Sequence, residues 1–127
     1  MKRVLIALLL TASVAMMPPA ALFKWHQTAH DFGRIPQAKP VTAEFAFINR
    51  GGVPLIIQSA KGSCGCTAVD YPKTPVLPGQ TGVIRATFNA AVVGAFNKSV
   101  TVESNAEGGP AVLYVKGDVL PAAADGQ

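Results

Sequence analysis

From His30 to Val119 the apolar residues recur at every second position in short runs, and Gly, Pro and Asn break each run before it reaches helical length. A period of two sends successive side chains to opposite faces of an extended chain, whereas a helix repeats every three to four residues. The clearest run is Val41–Asn49, where Val41, Ala43, Phe45 and Phe47 share one face and Thr42 and Glu44 the other. Ile84, Ala86 and Phe88 alternate with Val83, Arg85 and Thr87, and Val100 and Val102 with Ser99, Thr101 and Glu103. Each run thus offers one face to a core and one to water. That is the habit of antiparallel sheets; parallel strands would be apolar on both faces and would need helical crossovers, for which this chain shows no amphipathic pattern.

The alternation predicts seven strands, near His30–Ile35, Val41–Asn49, Leu55–Lys61, Cys66–Asp70, Gly82–Asn89, Phe96–Ser104 and Ala111–Val119. Two antiparallel sheets packed face to face would bury the phenylalanines. Pro78-Gly79 supplies a fixed φ and then a residue tolerant of positive φ, which suits a type II turn. Between Tyr71 and Pro78, three prolines remove amide donors, so that stretch is expected to be an edge segment or a loop crossing between sheets.

The first residues belong to another pattern. Met1-Lys2-Arg3 is followed by Val4 to Met17, apolar except for Thr11 and Ser13, and then by Pro18-Pro19. A basic start and an apolar run shorter than the roughly 20 residues of a membrane span read as a secretory signal. Ser13 and Ala15 offer a small-x-small site that favours cleavage after Ala15; Ala20 and Ala21 are the alternatives, and Pro19, two residues before Ala21, argues against the latter. The expected organisation is a signal segment at 1–21, a lead-in at 22–29, the β domain at 30–119 and a flexible tail at 120–127. The protein is then exported, periplasmic or extracellular, with no membrane span after cleavage; if the signal is uncleaved, it is an anchor.

Charge narrows the partners. The chain has 11 basic and 7 acidic residues, and losing Lys2 and Arg3 with the signal leaves 9 against 7. The basic residues from Lys24 to Lys116 form no run and are not interleaved with aromatics, so no footprint for nucleic acid exists. A polybasic patch for a membrane surface is missing for the same reason.

Several short motifs occur in order: Asp31-Phe32-Gly33, Phe45-Ala46-Phe47-Ile48-Asn49-Arg50-Gly51, Ser63-Cys64-Gly65-Cys66-Thr67, Leu77-Pro78-Gly79-Gln80, Phe88-Asn89 and Val100-Thr101-Val102-Glu103-Ser104-Asn105. With these the chain resembles a widespread bacterial family of exported domains of unknown function marked by Cys-Gly-Cys-Thr. That family is similar to Hydin-type immunoglobulin-like domains and, more distantly, to major sperm protein and the periplasmic pilus chaperones. The resemblance runs from about His30 to Val119 and implies an all-β, immunoglobulin-like antiparallel sandwich of about seven strands. It implies no reaction, and a sandwich of this kind hosts many unrelated tasks.

Cys64 and Cys66, the only cysteines, are the chain's one pointed chemical feature. In an exported protein such a pair is disulfide-competent. Residues i and i+2 of a regular strand lie near the upper limit for bridging, so a bridge needs a bend, which Gly65 permits and Thr67 follows. So tight a ring favours a labile, exchangeable bond over a staple. The same two sulfurs suit a soft ion such as Cu(I). Zinc would want four ligands, and only His26 and His30 remain to add. Inert packed thiols and an intermolecular bridge are the remaining readings. Lys61, three residues from Cys64, is close enough in sequence to favour a thiolate, though a lone lysine there equally reads as a solubilising charge.

No catalytic set stands out. His30 and Asp31 are adjacent, so on a strand they point to opposite faces and form no dyad unless a bulge intervenes. There is no nucleophile elbow, metalloprotease helix or phosphate-cradling loop. The sequence therefore predicts a non-enzymatic, exported binding or scaffolding module, monomeric or weakly oligomeric. Its expected partner is another envelope protein, met through an exposed strand edge or through the loops at one end of the sandwich. The alternative is a thiol-redox or Cu(I)-binding protein that works through Cys64 and Cys66.

Overall fold

Eight strands form in the computed structural model, which describes residues 19–121: β1 Phe23–Trp25, β2 Ala29–Pro36, β3 Val41–Asn49, β4 Ile57–Gly62, β5 Thr67–Asp70, β6 Thr81–Phe88, β7 Gly94–Ser104 and β8 Ala111–Leu120. They make two four-stranded sheets, ordered β1-β3-β6-β5 and β2-β8-β7-β4. The inward rows are those the alternation assigns: Ala43, Phe45 and Phe47 from β3, Ile84, Ala86 and Phe88 from β6, and Val100 and Val102 from β7 are all buried. The result is an immunoglobulin-like β-sandwich with no helix among the described residues. The proposed signal lies outside the described residues up to residue 18, and the proposed tail lies outside them from residue 122.

The structure differs from the sequence expectation in two places. Residues 22–29, expected to be a lead-in, contain β1, which pairs antiparallel with β3 and stacks Phe23 on Trp25, ring centroids 4.6 Å apart. Both rings meet Phe47, at 4.8 and 5.2 Å. A three-residue strand is too short to show alternation, but it gains stability by covering an aromatic core residue. Second, β2 runs parallel to β8, while every other ladder is antiparallel. A half-buried edge strand has the same alternating pattern in either direction, so its pairing sense is invisible locally.

In each sheet an aromatic ring lies over a glycine on the neighbouring strand. Phe47 faces Gly82, where a Cβ would collide with the ring, and Phe96 faces Gly117, where a Cβ would stand 2.8 Å from ring atoms. Packing rather than backbone freedom requires these two glycines. Pro78-Gly79 forms the expected type II turn, with Gly79 at φ 82° and Gln80 N–H bonded to the Leu77 carbonyl at 2.9 Å. The proline-rich stretch after β5 is a loop, held by a two-way backbone bridge between Val76 and Leu55.

Irregular segments at one end of the sandwich converge on Asn49, whose side chain is fully buried. Its Oδ1 accepts from Leu22 N–H at 3.3 Å and from Gly51 N–H at 2.9 Å, and its Nδ2 donates to the carbonyls of Val53 at 2.8 Å and Val76 at 2.9 Å. Both donors and both acceptor sites of the carboxamide are in use. Asn105 caps the Pro54–Ile56 segment in a similar way, with bonds of 2.8 and 3.0 Å, but stands exposed. Replacing Asn49 by Ala removes four hydrogen bonds and leaves the Leu22 and Gly51 N–H groups and the Val53 carbonyl without their side-chain partner, while the Val76 carbonyl keeps its bond from Leu55 N–H, so N49A should lower unfolding stability by about 3 kcal/mol. N105A should cost about 1 kcal/mol because solvent can substitute. Urea titration that found equal midpoint shifts for the two variants would refute this account of the buried carboxamide.

Candidate functional site

Strands β4 and β5 occupy the same edge of the sandwich in opposite sheets, and the loop between them carries both cysteines. Ser63 extends the β7 ladder: its N–H donates to the Ser99 carbonyl at 2.8 Å, and Ser99 N–H donates to its Oγ at 3.2 Å. The chain then turns, with Thr67 N–H reaching back to the Cys64 carbonyl at 3.4 Å, and Asn89 N–H anchors the Cys66 carbonyl at 3.0 Å. Within that turn Cys64 and Cys66 have Cα atoms 5.3 Å apart and are joined through their sulfurs as a disulfide. That separation is ordinary for a bridge. Both cysteines are half-buried, and Gly65 between them is exposed at the tip.

The glycine that shapes this loop is not Gly65. Gly65 lies outside the left-handed region, and nothing stands within 4 Å of where its Cβ would be. Gly62, at the neck, faces Thr67 so closely that a Cβ would fall 2.9 Å from the Thr67 Cβ. Thr67 itself is buried, and its Oγ1 has no hydrogen-bond partner among the described residues. It fills the neck of the loop.

Cys66 lines a cleft of about 310 Å³ at the end of the sandwich. Its floor is Phe88 from one sheet stacked on Phe96 from the other, centroids 4.1 Å apart. The opposite wall is the β6–β7 loop, with Val92 77% and Val93 45% exposed. Lys98 also lines the cleft; along β7 it shares the inward row with Phe96 and Val100. Lys61, the lysine the sequence singles out, is exposed on β4 and is not part of the cleft lining. Lys98, Val92 and Val93 escape a sequence reading because only the folded β6–β7 connection brings them to Cys66. The one signal in the sequence was a pair of adjacent valines between two turn-forming stretches.

The histidines stand elsewhere. His26 follows β1, and β1 and β5 are opposite edges of the first sheet, three strand spacings or about 14 Å apart. His30 lies on β2, which is likewise the far edge from β4 in the second sheet, and it packs edge-on against Phe32 at 4.6 Å. Neither reaches the cysteines, and no group of three His, Cys, Asp or Glu gathers among the described residues. The four-ligand zinc set considered from the sequence is not assembled. A bulge does follow His30-Asp31, but Asp31 Oδ1 accepts from Gly33 N–H at 2.8 Å, so its turn bond is to the backbone. His26 belongs instead to a separate groove of about 650 Å³ with Lys24, Trp25 and Arg50.

A family model described as "Protein of unknown function (DUF1573)" matches residues 23–119. Among solved structures the chain is similar to a protein of unknown function from Porphyromonas gingivalis W83, with 15% identity and a TM-score of 0.67 over 77% of this chain and 46% of that one. It is also similar to the ASH/PapD-like domain 7 of human CEP192, with 10% identity and a TM-score of 0.65 over 95% of this chain and 99% of that one. A third is the YadV chaperone, at 13% identity and a TM-score of 0.51, over 83% of this chain and 54% of that one. The chain thus spans less than half of the Porphyromonas protein. Likeness at these identities shows the fold alone. No curated protein matches the chain.

A disulfide that closes so short a loop restrains the unfolded chain little. Reduction of the pair, or the double substitution C64S/C66S, should therefore lower stability by at most about 1.5 kcal/mol and leave unfolding cooperative. A loss as large as that of N49A in matched urea titrations would make the bridge a structural staple instead.

Proposed function

We propose, from the premise that this chain belongs to the DUF1573 family, that it is a non-enzymatic binding module exported to the bacterial cell envelope. The observation that carries the reading is the cleft end of the sandwich, where Val92 and Val93 stand in the open beside an apolar floor. Val92 is the most exposed large hydrophobic among the described residues, and with Val93 beside it the loop presents a contiguous apolar surface for a partner to cover. The loops at this end, rather than a strand edge, are then the contact surface. The Hydin-type likeness and the Cys-Gly-Cys-Thr signature expected from the sequence belong to the same reading.

Export rests on the basic start and short apolar run of residues 1–17. The fold supports the first of the cleavage sites. Ala21 is fully buried, its carbonyl accepts from Glu107 N–H at 2.9 Å, and the Ala20 carbonyl accepts from Gly52 N–H at 3.0 Å. Gly51 meets this backbone so closely that no Cβ would fit. Cleavage after Ala15 leaves all of these contacts; cleavage after Ala21 removes them. The intact mass of the exported protein should correspond to a chain starting at Met16, and cross-linking in envelope extracts should recover one reproducible partner whose yield falls in a V92S/V93S variant. A chain starting at Leu22 would overturn the processing, and a partner yield indifferent to the valines would overturn the binding surface.

A second reading is favoured by one observation: both cysteines of the bridge are half-buried instead of sealed in the core, and Cys66 borders that same cleft. Such a pair fits thiol–disulfide exchange, and when reduced its two sulfurs on one turn fit Cu(I), which accepts two soft ligands. A potential in the range of exchanging dithiols, about −120 to −270 mV, or tight Cu(I) binding by the reduced protein would support it. A potential below about −300 mV together with no Cu(I) binding would reject it.

A further inference from the structure

We infer that the cleft beside Cys66 receives an apolar segment of a partner polypeptide that carries a cysteine, and that the Cys64–Cys66 disulfide exchanges with that cysteine. The inference rests on the thiol-redox reading of the pair and adds its substrate class. Three features of one surface meet here. A disulfide exchanges with a thiolate, and Cys66 of this one forms part of the cleft wall. The facing wall and floor are apolar, Val92 and Val93 above stacked Phe88 and Phe96. Lys98 is the only charged residue lining the cleft among the described residues, so the cleft carries a positive charge that complements an incoming thiolate.

The valine wall is held open rather than left loose. Ala90, fully buried, sits at φ 55°, and its carbonyl accepts at 2.8 Å from the N–H of Ala38, itself at φ 63°. Gln37 Nε2 donates to the Ala91 carbonyl at 3.1 Å, and Ala91 N–H donates to Asn89 Oδ1 at 3.1 Å. Two alanines in the left-handed region are sterically unfavourable, and they persist where surrounding contacts impose them. Their consequence is a fixed loop that leaves the next two side chains outside the core. At about 310 Å³ the cleft holds a few residues of a chain, more than a small thiol fills.

The exchange balances without another reactant. A partner thiolate attacks Cys66 Sγ, the Cys64–Cys66 bond breaks, and Cys64 leaves as a thiolate, giving a mixed disulfide through Cys66. A second partner thiolate then attacks the partner sulfur of that bond and Cys66 leaves as a thiolate. The partner is oxidised to a disulfide, the protein pair is reduced to two thiols, and the two protons lost by the partner thiols are returned through solvent to Cys64 and Cys66. A partner with a single cysteine stops at the mixed disulfide.

The test uses the exported, oxidised protein and three reduced thiols: glutathione, a pentapeptide with Val and Ala around a central Cys, and one with Ser and Gly around it. Opening of the bridge is followed by acid quench, alkylation and mass. The apolar peptide should open it about tenfold faster than the polar one. V92S/V93S should bring the apolar-peptide rate down to that of the polar peptide, and thermal melting should confirm that these exposed substitutions keep the fold. In single-cysteine variants challenged with aryl-disulfide-activated peptides, C64S should keep the preference and C66S lose it. Equal peptide rates, or a preference that survives V92S/V93S or follows Cys64, would overturn the cleft assignment while the redox reading stands. A bridge that none of the three thiols opens would overturn both.

Discussion

The carboxamide of Asn49 is buried, and burying a polar group is tolerable only when every donor and acceptor finds a partner. Its four partners are backbone groups of Leu22, Gly51, Val53 and Val76, and all four lie outside regular strands. Three segments with no ladder of their own are thus drawn to one point: the approach to β1, the turn after β3 and the loop between β5 and β6. Its backbone joins them, bonding Gln80 and Gly79 at the start of β6. Gly51 completes the arrangement, because the Ala20–Leu22 backbone passes where a side chain would have to stand. One side chain thus reinforces, at a single point, the backbone bonds that also join these segments, from Arg50 N–H to the Leu22 carbonyl and between Leu55 and Val76.

That knot has a geometric consequence. In the β3–β6 ladder Ile48 pairs with Thr81 at the Asn49 end, and Val41 pairs with Phe88 at the other. Seven residues of strand, about 24 Å, separate the knot from the cysteine cleft. The loops at the far end, carrying Cys64, Cys66, Val92 and Val93, are joined instead by backbone bonds such as Ala38 N–H to the Ala90 carbonyl and Asn89 N–H to the Cys66 carbonyl. A rigid scaffold with reactive or adhesive loops at one end is the usual division of labour in such folds. It also explains how the strained Ala38–Ala90 pair can be kept: the sheets on which the β2–β3 and β6–β7 loops sit are stabilised elsewhere.

Much of the sandwich was readable from local pattern. The buried rows of β3, β6 and β7 follow directly from alternation, and the type II turn follows from Pro78-Gly79, because both signals are confined to a few adjacent residues. β1 was not readable, since Phe23-Lys24-Trp25 becomes a strand only through its pairing with β3 and its contact with Phe47. The parallel β2–β8 ladder was not readable either, because it joins segments about eighty residues apart that would alternate identically in either sense. Of the candidate site, Cys64 and Cys66 were evident from their spacing. Lys98 was not, because one lysine in an alternating strand looks like any solvated charge until its row is known to point inward.

The residue order alone determined that this chain is all-β, where its one-sided strands lie and that its two cysteines stand one residue apart, close enough to bridge. Those properties depend on period, turn chemistry and spacing, which act over a few residues. Only the tertiary structure decided which glycine shapes the cysteine loop, that His26 and His30 lie at edges far from it, and that a cationic, valine-walled cleft opens beside Cys66. These depend on which strands become neighbours and which loops share an end of the sandwich. Such contacts join residues distant in sequence, and they are selected by the packing of the whole core rather than by any local preference.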